Sequence, residues 1–178
     1  AVTLAEDVLQ ISAGWDTTCA LYTSENVLCW GSGLFGQTGQ GNTDNLGDEE
    51  DLAATSAISM GGKVTRVVNG YDFSCAILTN GNVRCWGHND HGQLGYGHTT
   101  NVGSEDPPSA HGTLELGGSV VDIAAGGWSF GNEHACAVLE NGDVRCWGRN
   151  YFGQLGYGNT EDIGDGEVPS EVAPVILK

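Results

Sequence analysis

Six cysteines carry the clearest chemistry in this chain. They fall into three pairs, Cys19/Cys29, Cys75/Cys85 and Cys136/Cys146, and each pair encloses the same nine-residue gap. That spacing does not match the short Cys-x-x-Cys clips of structural zinc sites. It fits a disulfide closed across a β-hairpin, because directly opposed antiparallel residues sit about 4.5–5.5 Å apart at Cα, within disulfide reach. Buried free thiols are the alternative. Oxidised pairs imply an oxidising compartment and an exported, extracellular or cell-surface chain. No cysteine is then left as a nucleophile, and no Ser, His and Asp arrangement stands out, so the chain is read as a non-enzyme with no catalytic residues.

Carboxylates are the next candidates. Asp44, Asp48, Glu49, Glu50 and Asp51 crowd one polar stretch, and Glu161, Asp162, Asp165 and Glu167 repeat it. Calcium takes six to eight oxygens on glycine-bent loops, so it is the one cofactor these stretches could hold. EF-hand spacing is absent, repeat two keeps only Glu105 and Asp106, and a solvated acidic surface is the plainer reading. His88, His91 and His98 share one loop but are not repeated elsewhere, so they read as solvated rather than as a metal site. Gly31, Gly33 and Gly36 space as G-x-G-x-x-G without a following helix, which makes them turn glycines and not a phosphate cradle.

Aromatic residues form two sets. Trp30, Trp86 and Trp147 each follow the second cysteine of a pair and read as packing between repeats. Trp15, Tyr71 and Trp128 instead follow an Ala-Gly, Asn-Gly or Gly-Gly step, with Asp16, Asp72, Phe73 and Phe130 beside them. Aromatics clustered in loops are typical interface anchors. These seven residues are the candidate binding set, and packing between repeats is the competing role.

The elements that would position them follow from spacing. A three-residue loop at Thr79, Asn80 and Gly81 pairs Ile77 with Val83, Ala76 with Arg84 and Cys75 with Cys85. Such loops end on a left-handed residue, which suits Gly81 and Gly142, whereas repeat one has Glu25 there and its turn must be strained or built differently. A strand signal precedes each hairpin at 8–14, 64–70 and 120–126. A glycine loop follows at 31–43, 87–99 and 148–160, where Gln37, Gln93 and Gln154 should tie backbone together. A short apolar strand then closes each unit at 58–60, 114–116 and 175–177. The unit recurs after 56 and then 61 residues, the five extra lying between Gly126 and Cys136. Repeats therefore run about 8–60, 64–116 and 120–177 within a single repeat domain, 1–178, and residues 2–4 add a surplus copy of the apolar strand. About four short antiparallel strands per repeat make an all-β chain of three propeller-type blades.

The pattern A-x-G…C-A-L…N-G-x-V-x-C-W-G-x-N-x-x-G-Q-L-G-x-G resembles the regulator of chromosome condensation repeat family in its cysteine-rich bacterial form. The resemblance covers residues 8–168. It implies propeller blades, usually seven to a ring, and an end at which loops can dock a protein partner. Three blades cannot close a ring, so open faces imply self-association into a homo-oligomer or polymer, or a fragment of a longer array.

Composition bounds the partners. Six Lys plus Arg against 23 Asp plus Glu give a net charge of −17, which repels nucleic acid and anionic lipid. No apolar run is long enough to cross a bilayer. No leader is visible at the start, so the chain is taken as mature or trimmed. The expected function is recognition of a protein or glycan through blade loops, with self-association completing the stack. A structural subunit of an extracellular filament or surface array is the alternative.

Overall fold

A computed structural model describes residues 2–128 and 131–176. Among the described residues, nine strands form three separate three-stranded antiparallel sheets. The first contains β1 (Val8–Ala13), β2 (Thr17–Tyr22) and β3 (Val27–Gly31). The second contains β4 (Val64–Asn69), β5 (Phe73–Leu78) and β6 (Val83–Gly87). The third contains β7 (Val120–Gly126), β8 (His134–Leu139) and β9 (Val144–Gly148). Each sheet keeps sequence order, so every repeat is a meander.

The hairpin register is the one the cysteine spacing predicts. Cys19 opposes Cys29, Cys75 opposes Cys85 and Cys136 opposes Cys146. All three pairs are disulfides with Cα atoms 4.0 Å apart, and no cysteine among the described residues is free. The turn closes with Leu78 accepting from Gly81 N at 2.9 Å and Asn82 O accepting from Leu78 N at 2.8 Å. Gly81 and Gly142 are left-handed at φ 80° and 89°. Repeat one builds the same turn, because Tyr22 O accepts from Glu25 N at 2.9 Å. Glu25 is thereby held at φ 64°, where a side chain crowds its own backbone.

The fourth, apolar segment of each repeat docks without forming a ladder. Ile58 N donates to Val27 O at 2.7 Å, Leu114 N to Val83 O at 2.9 Å and Val175 N to Val144 O at 2.9 Å. The first two segments then leave that hairpin to meet the next repeat: Ser59 O accepts from Ser109 N and Glu115 O from Ser170 N, both at 3.0 Å. Serving two repeats at once, these segments follow neither strand far enough to pair. Three strands per sheet result, rather than about four. Leu177 lies outside the described residues.

One core runs through repeats two and three and into the inner face of repeat one. Trp86 and Trp147 are fully buried, whereas Trp30 is half-buried in a smaller cluster with Leu28 and Leu52. The recurring glutamines tie their loops as expected: Gln37, Gln93 and Gln154 accept through Oε1 from the amides of Phe35, His91 and Phe152. Gln10 reaches from β1 into β4, donating to Val67 O at 2.7 Å and accepting from Val67 N at 3.2 Å. The sheets are therefore joined by polar clasps as well as by apolar packing.

Candidate functional site

Three loops converge at one end of the stack, each joining the first and second strands of a sheet. They approach closely because each begins with glycine. A Cβ at Gly14 would lie 2.4 Å from Gly70 O, and one at Gly70 would strike the Phe73 ring at 2.0 Å. Close approach lets Trp15 N donate to Tyr71 O at 3.3 Å. It also lets the Trp15 and Tyr71 rings stack with centroids 5.1 Å apart and planes 24° apart. Trp15 is 69% exposed and Trp128 75%. Together with Tyr71 and the glycine backbone they line an open cleft of about 360 Å³.

A polar network lies beneath this cleft. Glu133 is completely buried. Its Oε1 accepts from Asp72 N at 2.9 Å, and its Oε2 lies 2.9 Å from His88 Nδ1 and accepts from Gln93 Nε2 at 2.6 Å. One carboxylate thus joins the third repeat's inserted loop to two parts of repeat two. Asp72 is buried nearby. Loss of solvent raises its pKa to about 7, and the charges of Asp16 and Glu133 and a hydrogen bond with Asp16 add to the rise. For His88, burial opposes the charged form, but the hydrogen bond and charge of Glu133, with Asp90 behind, carry its pKa above the ordinary imidazole value.

The candidate residues separate into three groups. Trp15, Tyr71 and Trp128 meet at the cleft, with the exposed Asp16 next in sequence to Trp15. Asp72 and Phe73 are buried: Asp72 supports the loops from below, and Phe73 opens β5 inside the core. Phe130 lies outside the described residues. His88 is not solvated, because Glu133 draws it into the network. His91 lies 3.7 Å from Asp162, and His98 stacks on Tyr96. Glu133 was not visible as a site residue in the sequence. It is the repeat equivalent of Asp16 and Asp72 once the five-residue insertion is allowed for, and that offset was the available signal.

The acidic stretches are spent on local backbone. Asp51 caps a short 3₁₀ turn at Leu52–Ala54 by accepting from Ala53 N at 3.0 Å, and Glu50 accepts from Gly47 N at 3.0 Å. Asp162 accepts from Asn150 N at 2.8 Å and pairs with Arg149 at 2.8 Å. Among the described residues, no group of three or more His, Cys, Asp or Glu is arranged to hold a metal ion.

Disulfide-stapled meanders, glycine-loop clasps and a loop-lined end define a β-propeller repeat protein. The sequence matches the regulator of chromosome condensation (RCC1) repeat over residues 8–37, 64–93 and 120–154, and again over 141–176. The chain belongs to that family. It is 36% identical over 157 residues to the ultraviolet-B receptor UVR8 of Arabidopsis thaliana, covering 87% of this chain and 32% of that protein. It is 34% identical over 143 residues to the E3 ubiquitin-protein ligase HERC2 of Homo sapiens, covering 80% of this chain and 3% of that one. Human WBSCR16 shares the fold with a TM-score of 0.70 and 23% identity, over 93% of this chain and 38% of that chain. Yeast RCC1 (Prp20), solved with Kap60, gives 0.69 and 21%, over 96% and 37%. The chain thus spans less than two fifths of these relatives and of the chains in these structures.

Proposed function

We propose that this chain is a non-enzymatic recognition module that binds a protein partner through the end carrying Trp15, Tyr71 and Trp128. One observation carries the reading: two indoles that stand mostly in solvent line one cleft together with Tyr71 and glycine backbone. Trp15 and Tyr71, on three-residue glycine-led loops and stacked on each other, are pre-ordered, so little entropy is lost when a partner covers them. The relatives support a protein ligand. Yeast Prp20 is solved bound to Kap60, and its described binding properties concern Gsp1p and histones.

Buried Glu133 accepts from the backbone of Asp72, and the Asp72 carboxyl bonds with Asp16 of the neighbouring loop, which favours support over catalysis. The three disulfides favour an oxidising environment, and an extracellular setting follows if the protein works where it is stable. No helix among the described residues is long and apolar enough to cross a membrane.

The test is partner capture on immobilised chain, comparing wild type with the Trp15→Ala, Trp128→Ala double variant. Both side chains are exposed, so the melting temperature should stay unchanged. Affinity for the captured partner should fall at least about tenfold, the loss expected for removing interface anchors. Equal capture by the folded double variant would sink the proposal.

A further inference from the structure

Three carboxylates stand at equivalent places in the three loops whose aromatics line the cleft: Asp16, Asp72 and Glu133. Their charge reaches the aromatic wall. Loss of solvent first, and then the charges of Asp72, Asp16 and Glu133, push the Tyr71 hydroxyl above its ordinary pKa. Glu133 has a partner for its charge in His88, 2.9 Å away. Asp16 and Asp72 are instead hydrogen-bonded to each other, side chain to side chain. Such a bond between two carboxyl groups holds only while one of them keeps its proton. Asp16 is the exposed member of the pair.

The chain's own cations are committed elsewhere. Among the described residues, Lys63 donates to Ser24 O, Arg66 pairs with Asp122 and Arg149 pairs with Asp162. Arg84 and Arg145 donate to the backbone carbonyls of Pro108 and Pro169. None of these five side chains lines the cleft. With a net charge of −17, the surface as a whole draws cations toward it.

The cleft is therefore aromatic and anionic at once. An aromatic face attracts a cation through its ring quadrupole, tryptophan most strongly, and arginine is the commoner guest because its planar guanidinium also stacks. Ligand pockets run from about 300 to about 1,000 Å³. A cleft of about 360 Å³ accordingly takes one long side chain and not a helix or a strand. Resting on the recognition reading above, we propose that the partner is a basic protein segment that places an arginine side chain in this cleft. Its guanidinium lies against Trp15, Tyr71 and Trp128, and Asp16 answers its charge. Asp72 and Glu133 stay buried as supports.

Two capped pentapeptides test this, Gly-Gly-Arg-Gly-Gly and the same peptide with citrulline, which keeps the shape of arginine and lacks its charge. Each is titrated into the isotope-labelled full chain while the tryptophan indole N–H signals are followed by NMR. Salt at about 0.15 M confines the general pull of the acidic surface to about 8 Å. The arginine peptide should bind at least about fivefold more tightly than the citrulline peptide. It should move the Trp15 and Trp128 signals and leave those of the buried Trp86 and Trp147 in place.

Trp15→Leu with Trp128→Leu should abolish the preference for arginine, and Asp16→Asn should reduce it. Thermal melts check that each variant folds, and should the double variant not fold, the wild-type indole signals still locate the guest. Equal affinity for the two peptides, a preference that survives loss of both indoles or of the Asp16 charge, or shifts confined to other indoles would each overturn the proposal. The recognition reading is tested apart from it. If the Trp15→Ala, Trp128→Ala variant loses its captured partner while both peptides bind wild type alike, the arginine falls and the recognition end stands. If that variant keeps its partner, both fall.

Discussion

At the residue scale, buried Asp72 and His88 tie the stability of the recognition loops to pH. Asp72 is at about 7 in the folded chain against an ordinary value of 3.8. The folded state therefore holds this proton more tightly than the unfolded state. The resulting stabilisation is complete below about pH 4 and is lost as pH rises through 7. His88 acts in the same direction, since its raised pKa gives stability that is present below the usual imidazole value and lost above the folded one. Asp72→Asn removes the ionisation while keeping the shape. Its melting temperature should exceed that of wild type at pH 8 and match it near pH 4. A variant destabilised equally at both would show that Asp72 is needed as a carboxylate. None of this was legible beforehand. Asp72 sits beside Tyr71 in sequence and reads as a loop-surface residue until Glu133, from the inserted loop of repeat three, meets its backbone. Glu133 was hidden by the insertion that shifts it out of phase with Asp16 and Asp72.

At the element scale, the hairpins were the most legible part of the chain. Nine residues between bonded cysteines, with a three-residue turn midway, leave one register that opposes the sulfurs, and all three hairpins adopt it. The fourth strand was less legible because its residues have the right apolar types but divide their bonds between two repeats. Phe73 was misplaced for a related reason. Its neighbours Tyr71 and Asp72 belong to a loop, whereas Phe73 begins β5 opposite Gly87, and alternation turns its ring inward. Glu25 offers a direct test of the turn. Left-handed backbone costs a side chain about 1–2 kcal/mol, part of which is returned as the entropy glycine loses on folding. Glu25→Gly should stabilise the chain by about 0.5–1 kcal/mol, read as a melting temperature higher by about 2 °C. An unchanged or lower melting temperature would mean that Glu25 contributes something that the turn geometry does not contain.

At the scale of the whole molecule, the blade junctions and the loop end use aromatic residues differently. Trp86 and Trp147 are buried where blades meet and donate to the glycine loop of the preceding blade. Trp15 and Trp128 at the loop end stay mostly in solvent, with Trp15 stacked on Tyr71 of the next blade, and they are suited to a protein partner. The repeat family was legible from the CWG and GQLGYG elements, whereas the division of labour between surfaces needed burial to be seen. Trp86 and Trp15 are both tryptophans near a glycine step, yet the first is sealed against Gln37 and the second stands in solvent. The most direct measurement is hydrogen–deuterium exchange on the chain with and without its captured partner. The account predicts new protection at residues 13–16, 69–72 and 125–128, the three converging loops, with the outer hairpin turns unchanged. Protection confined to the glycine loops at 33–41 and 89–97, or to the hairpin turns, would place the contact elsewhere and contradict it.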